Sequence, residues 1–263
     1  KYYKNEFDKN GIIKINNFLE KKEISILKKR LNNLDNPQKG SNKSIIYYEK
    51  MGFFQNATRL INIIFYKNFA KQKKLNLIAK NFLNHKIQLY YIDTYHSEVS
   101  DTPVLDWHFD QAYSGRNDIK KNEFLNPETS AIKFFIYLSK TYSNNGCLSY
   151  INGSHKIAYF LKKLIFENKI EYKPYWKINQ FLDCVKEKKN YEQLKNYLDE
   201  QLIKKFIFQA EKINQKFEYS YVHDYECESG DMLIFDEAGC HRGSKILYSD
   251  RYALRFLYRR DLT

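Results

Sequence analysis

The sequence predicts a mainly β fold with flanking helices, its strands closing into a barrel or sandwich and not a doubly wound sheet. Two observations carry this. Strand-like runs gather after residue 86 and are short, β-branched or aromatic, and bounded by turn formers. Stretches of helical period precede them and interrupt them once, without the regular strand–helix alternation of a parallel sheet.

Taken in order, Gly11–Ile15 reads as a short strand. A helix follows from Glu20 to Leu34, with Ile24, Leu27, Leu31 and Leu34 at three-to-four spacing. It stops at Asn36-Pro37, because the residue before a proline is driven out of the α region. A second helical tract covers Asn56 to Asn84, with a break near Lys71–Lys74, and Leu75, Ile78, Ala79, Phe82 and Leu83 on its apolar face. Ile87–Tyr95, Ile132–Ser139, Cys147–Ile151, Met232–Phe235 and Tyr252–Tyr258 are the expected strands. Asn144-Asn145-Gly146 is a turn between two of them. The lysine-rich tract 157–217 has helical spacing and reads as an insertion. With four prolines, nine glycines and no internal repeat, nothing marks a hinge. The expectation is one domain over 1–263: a helical flank (1–85), a β core (86–156 and 218–263) and a helical insertion (157–217).

No run approaches the roughly 18–20 apolar residues of a membrane span, so none is expected. The opening Lys1-Tyr2-Tyr3-Lys4 has neither a signal-peptide pattern nor an initiating Met. Cys147, Cys184, Cys227 and Cys240 form no CxxC pair, which argues against a zinc ribbon or small disulfide scaffold and favours a reduced, cytoplasmic setting. The net charge of +13 is uneven: residues 1–85 hold 18 Lys/Arg against 6 Asp/Glu, and 157–217 hold 13 against 8. That excess reads as a solvated lysine face, or as an attraction for an anionic substrate. No RNP-like, zinc-finger or helix-turn-helix motif accompanies it, so nucleic acid is not the expected partner.

His108-Phe109-Asp110 is the sharpest local feature. In an extended segment residues i and i+2 face one side, so an imidazole and a carboxylate can converge as two ligands of a facial triad. The triplet alone is weak. A third ligand must come from His85, His96, His155, His223 or His241. His241 follows the apolar run Gly230-Asp231-Met232-Leu233-Ile234-Phe235, and Arg251 comes ten residues after it. A buried arginine there can grip a distal carboxylate in bidentate fashion.

With these parts in order, the chain resembles the phytanoyl-CoA dioxygenase family of Fe(II)/2-oxoglutarate oxygenases. Trp107-His108-Phe109-Asp110 is similar to its W-H-x-D segment, and Asn145-Gly146-Cys147-Leu148 through Gly153-Ser154-His155-Lys156 to its "NGxL…GSHK" stretch. Gly230–Phe235 through His241-Arg242-Gly243-Ser244 is similar to its distal-histidine segment, and Asn10–Leu34 to its opening strand and helix. The resemblance implies a double-stranded β-helix (jelly-roll) core, with Fe(II) on His108, Asp110 and His241. It also implies 2-oxoglutarate held by Arg251, O2 as oxidant, and hydroxylation with release of succinate and CO2. Two positions depart: Phe109 stands where Gln is frequent, and Cys147 where Pro is frequent. Asp110 argues against a halogenase.

Among other residues, Arg255 is the alternative to Arg251, and Lys133 is a candidate co-substrate contact. Gln88 and Tyr91 are candidate pocket walls, and Trp107 a packing residue. The expected partner is a small or carrier-linked molecule beneath the insertion, whose lysine surplus suits an anionic one; the family name does not imply a coenzyme A thioester. A catalytically inactive jelly-roll binding protein with a vestigial metal site is the competing reading.

Overall fold

The computed structural model describes residues 2–32, 42–50, 52, 57, 59–102, 104–112, 115 and 121–261. Its centre is a pair of facing antiparallel sheets, the jelly-roll arrangement. The larger has six strands in the order β1 (Ile12–Ile15), β8 (Met232–Asp236), β5 (Ala131–Tyr137), β10 (Arg251–Arg260), β3 (Ile87–Ser97) and β2 (Asn42–Tyr48). The smaller has four: β4 (Leu105–His108), β9 (His241–Gly243), β6 (Leu148–Tyr150) and β7 (Asp224–Tyr225).

The central strand β5 is buried along its whole length, and alternation splits its residues between two surroundings. Ile132, Phe134 and Ile136 join the core beneath the N-terminal helices. Phe135 and Tyr137 pack with Leu148, Tyr150, Leu233 and Phe235 between the sheets. The outer face of the large sheet is covered by α2 (Lys21–Asn32), α3 (Leu60–Gln72) and α4 (Leu75–Leu83), which bury Leu27 and Leu31, Tyr66 and Phe69, and Leu75, Ala79 and Phe82. The predicted break falls where α3 gives way to α4, and Lys74 takes the left-handed conformation there (φ 54°). The predicted stop at Asn36-Pro37 lies outside the described residues.

The first 85 residues are not purely helical, which corrects the expectation of a helical flank. They supply both edge strands of the large sheet, since β1 pairs with β8 and β2 with β3. The sequence hides β2 because its apolar run, Ile45–Tyr48, is short and follows a polar, lysine-bearing stretch. A further helix, α1 (Tyr2–Asn10), precedes β1. Among the described residues no helix is long and apolar enough to cross a membrane, and all four cysteines are free and buried.

A short α5 (Lys121–Leu125) lies between β4 and β5. The insertion is helical as expected: α6 (Ser154–Phe166), α7 (Ile178–Lys186), α8 (Lys188–Lys195) and α9 (Glu200–Gln215). These helices close their own core around Leu161, Phe181, Val185, Leu194, Ile203 and Phe206, which also takes in Trp107 and Phe109. Phe109 stacks on Phe181, ring centroids 4.1 Å apart at 25°, and Trp107 Nε1 donates to Ser220 Oγ at 2.9 Å. Phe109 therefore rivets the end of β4 to α7. Phe109→Ala is expected to cost about 3–5 kcal/mol by leaving a cavity at this joint, measurable as a lower urea midpoint.

Many insertion lysines pair with neighbouring acids at the surface, such as Lys173–Glu187 and Lys186–Glu211, both at 2.6 Å. Such exposed pairs mark a solvated face and add little stability.

His155 heads α6 against Gly11, whose left-handed φ of 79° and missing Cβ admit the ring: a Cβ there would lie 2.4 Å from His155 Nδ1. Burial pushes the His155 imidazole down to about 4, and burial likewise pushes His223 down to about 4, from an ordinary 6.5. Between those values the unfolded chain binds protons that the folded chain refuses, so stability is lost as pH falls through that window. Chemical denaturation at pH 7 and pH 5 is expected to differ by about 1–2 kcal/mol for each histidine. His155→Gln should flatten the slope.

Candidate active site

β4 and β9 are paired so that His108 lies directly opposite His241, which puts their ring centroids 4.3 Å apart. Asp110 follows in the turn after β4, on the same side as His108, while Trp107 and Phe109 point the other way into the insertion core. One ligand atom from each of His108, Asp110 and His241 lies within 4.8 Å of the others. Among the described residues this is the grouping that could hold a metal ion.

The hydrogen bonds fix the tautomers. His108 Nδ1 contacts the Asp106 carbonyl at 2.7 Å and His241 Nδ1 the Gly239 carbonyl at 2.9 Å. A carbonyl only accepts, so each Nδ1 carries the proton and each Nε2 presents a lone pair. Carbonyl partners of this kind orient metal-bound imidazoles. His241 Nε2 then faces Asp110 Oδ2 at 2.9 Å, and His108 Nε2 faces Oδ1 at 3.5 Å. Acceptors turned on one another at this range call for a shared cation. His108 Nε2 is also buried with no hydrogen-bond partner. Burial, reinforced by His108, keeps the His241 imidazole below its ordinary range. Burial would raise Asp110, but the Lys133 ammonium beside it holds it well below the usual carboxylate range. Two neutral imidazoles and one carboxylate fit Fe(II) with open positions.

A cavity of about 300 Å³ opens beside this triad, between the sheets. Its apolar walls include Phe135, Tyr137, Leu148 and Phe235, joined by Tyr95, Val104, Leu105 and Gly243, and its cations are Lys133, Arg251 and Arg255. Arg251 is 4% exposed. Its guanidinium donates to the Gly146 carbonyl and to Ser97 Oγ, both at 3.2 Å, while its buried Nε has no partner. The predicted turn delivers the first contact: Gly146 (φ 77°) lies so close that a Cβ would meet Arg251 Cδ at 2.7 Å. Among the described residues no carboxylate pairs with Arg251. Arg255, directly across from Asp93, is held by that carboxylate in a bidentate pair, its Nε bond 2.7 Å long. Of the two arginines, Arg251 is the one left to meet an anion.

Lys133 reaches the cavity, but its ammonium is engaged by Asp110 and lies 3.7 Å from Glu237. Gln88 and Tyr91 are corrected: neither lines the cavity. A bulge in β3 breaks its register with β10 beside Tyr90. Tyr91 packs against Tyr48 and beneath Arg255, while Gln88 sits further along, opposite Arg259. Tyr95, four residues beyond Tyr91 on the same face, is the β3 residue that reasoning missed; the alternation that placed Tyr91 could have found it. None of residues 157–217 is among the lining residues of the cavity; the insertion braces the site from behind through Trp107 and Phe109. It still abuts the site: the Trp176 ring centroid is 5.5 Å from that of His108, and Lys177 bridges to His108 through the backbone.

His96 pairs with Asp250 at 2.8 Å, His223 meets Trp107 edge-on, and His85 is exposed. None approaches the triad.

The sequence profile of phytanoyl-CoA dioxygenase (PhyH) matches residues 7–247. No curated protein matches the chain in sequence. Solved structures do match it in fold. HygX from Streptomyces hygroscopicus, crystallised with nickel, 2-oxoglutarate and hygromycin B, is 16% identical with a TM-score of 0.57, covering 97% of this chain and 85% of that one. The non-haem α-ketoglutarate-dependent carbocyclase SnoK from nogalamycin biosynthesis is 13% identical, TM-score 0.56, covering 99% and 83%. EvdO2 from Micromonospora carbonacea var. aurantiaca, complexed with 2-oxoglutarate, is 13% identical, TM-score 0.55, covering 98% and 89%. With a profile match over nearly its whole length, a jelly roll and a His/Asp/His cluster at its mouth, the chain belongs to the phytanoyl-CoA dioxygenase family of iron- and 2-oxoglutarate-dependent oxygenases.

Proposed function

We propose that this chain oxidises a small molecule, or the small-molecule end of a carrier-linked one, by hydroxylation, with His108, Asp110 and His241 holding Fe(II) and Arg251 anchoring 2-oxoglutarate. The observation that carries the reading is the pairing of two features in one cavity: three ligand atoms turned on one another, and a buried guanidinium with no anionic partner among the described residues. When bound, Fe(II) couples oxidative decarboxylation of 2-oxoglutarate to succinate and CO2 with oxidation of a substrate C–H bond by O2.

The protein's own residues supply binding, orientation and dryness. The carbonyls of Asp106 and Gly239 hold both imidazoles in the ligating tautomer. Ser97 and Gly146 aim the Arg251 guanidinium along the cavity for a distal carboxylate. Phe135, Tyr137 and Phe235 keep the intervening space apolar, which excludes water from the reacting centre. With Lys133 and Arg255 each engaged by a carboxylate, and no lysine of the insertion among the lining residues, an anionic group on the substrate has its natural place outside the cavity.

An anaerobic titration with Fe(II) and then 2-oxoglutarate tests this. The expected result is a visible charge-transfer band saturating at one 2-oxoglutarate per chain. A protein that binds neither iron nor 2-oxoglutarate would instead be a binding protein with a vestigial site.

A further inference from the structure

Around Asp110 runs a buried ring of charge that the proposed chemistry leaves unused. Lys133 projects from β5, 4% exposed, pairs with Asp110 Oδ2 and reaches Glu237 Oε2 at 3.7 Å. Glu237, 3% exposed, accepts a hydrogen bond from Gln111 Nε2 at 2.9 Å. Gln111 adjoins Asp110 in the chain, so the ring closes. The β5–β8 register explains how: Lys133 lies opposite Phe235, and Glu237 leaves the end of β8 on the same side. The ring therefore ties the segment bearing His108 and Asp110, and the one bearing His241, to a central strand. Arg259 is a further cation, 3.7 Å from Glu237 Oε1.

Burying an ammonium between two carboxylates stabilises a fold no better than apolar packing of the same volume. Fixing one carboxylate rotamer needs only a neutral donor. A full charge in contact with a ligand oxygen does something more, because it sets the potential at that oxygen. We propose that Lys133 is a positioning residue that fixes Asp110 through Oδ2 and weakens its donation to iron, with Glu237 as the counter-anion that limits the effect. This rests on His108, Asp110 and His241 being the iron ligands.

Two contributions oppose each other. Ordering Asp110 favours the metal, and the nearby ammonium disfavours a dication. A unit charge in contact at a partly buried site outweighs the entropy of one short side chain, so charge decides the sign. Lys133→Met is expected to bind Fe(II) at least about tenfold more tightly. It should also move the Fe(II)–2-oxoglutarate band to longer wavelength, since electron density at the metal rises. Glu237→Gln keeps an acceptor for Gln111 but leaves Asp110 as the one carboxylate beside Lys133 among the described residues. Its affinity should fall by at least about tenfold and its band move to shorter wavelength. Lys133→Arg should stay near the wild-type position.

Anaerobic titrations of the full chain, with circular dichroism to check folding, give all four results. Variants that both weaken iron and shift the band in one direction, or that leave both readouts unmoved, would make the ring merely structural and overturn the proposal. If Lys133→Met does not fold, Glu237→Gln decides alone: an unmoved band, or a shift to longer wavelength, defeats it. A wild-type protein without an iron-dependent band defeats the underlying functional reading, and that outcome is distinct from a wild-type band with unmoved variants.

Discussion

Asp110→Ala should abolish the iron-dependent band and any succinate formation, with Fe(II) affinity lower by more than about 100-fold. Losing even an outer partner of a metal ligand costs roughly 10–100-fold, and Asp110 is the anionic member of the triad itself. Its removal leaves two neutral imidazoles, with Lys133 3.7 Å from Glu237 as their nearest charge pair. The substitution should fold, because Asp110 sits in a turn with its side chain 27% exposed. Isothermal titration with Fe(II) under argon checks it. Retained iron affinity in a folded Asp110→Ala protein would remove Asp110 from the ligand set.

Arg251→Gln comes next in size. The guanidinium is buried, held by two neutral oxygens and unpaired with any carboxylate among the described residues. A charge-assisted, bidentate contact there is the strongest single interaction the cavity can offer a dicarboxylate. Losing it should raise the Kd for 2-oxoglutarate by roughly 100- to 1000-fold, while Fe(II) affinity stays near wild type. That split separates an anchor from a ligand. Arg251→Lys should rescue only in part, because an ammonium cannot reproduce the planar fork. Arg255→Gln should behave differently, taking the bidentate cation from buried Asp93 and lowering stability more than it affects 2-oxoglutarate. Equal losses of 2-oxoglutarate affinity in both variants would mean that the two arginines share the anchor.

How much of this was legible in the sequence depends on the kind of contact. The triad was, because His108 and Asp110 lie within one alternating strip, and His241 follows a strand whose run stands out from its surroundings. The turn at Asn144–Gly146 was legible as well, and its φ values of 61° at Asn144 and 77° at Gly146 show why those residue types are there. The distinction between Arg251 and Arg255 was not. Both lie on one face of β10, and only Asp93 on the neighbouring strand, some 160 residues away in the chain, decides which is already engaged. The placement of Tyr91 failed for a related reason: it shares a face with Tyr95, and only its tertiary neighbours, Tyr48 and Arg255, show that it lies beyond the cavity. The role of the insertion was misjudged too. Its lysines suggested a roof over an anionic substrate, whereas its apolar faces had already found partners in Trp107 and Phe109.

The strip Trp107–Asp110 alternates between two masters, odd residues gripping the helical insertion and even residues forming the metal cluster. A ligand that immobilises one set immobilises the other through the same peptide units. Metal loading should therefore be felt in α7 as slower amide exchange, although no residue of that helix touches the cavity. Thermodynamic reciprocity then runs backwards as well: loosening the Phe109–Phe181 joint should weaken the hold on iron by as much as iron tightens the joint.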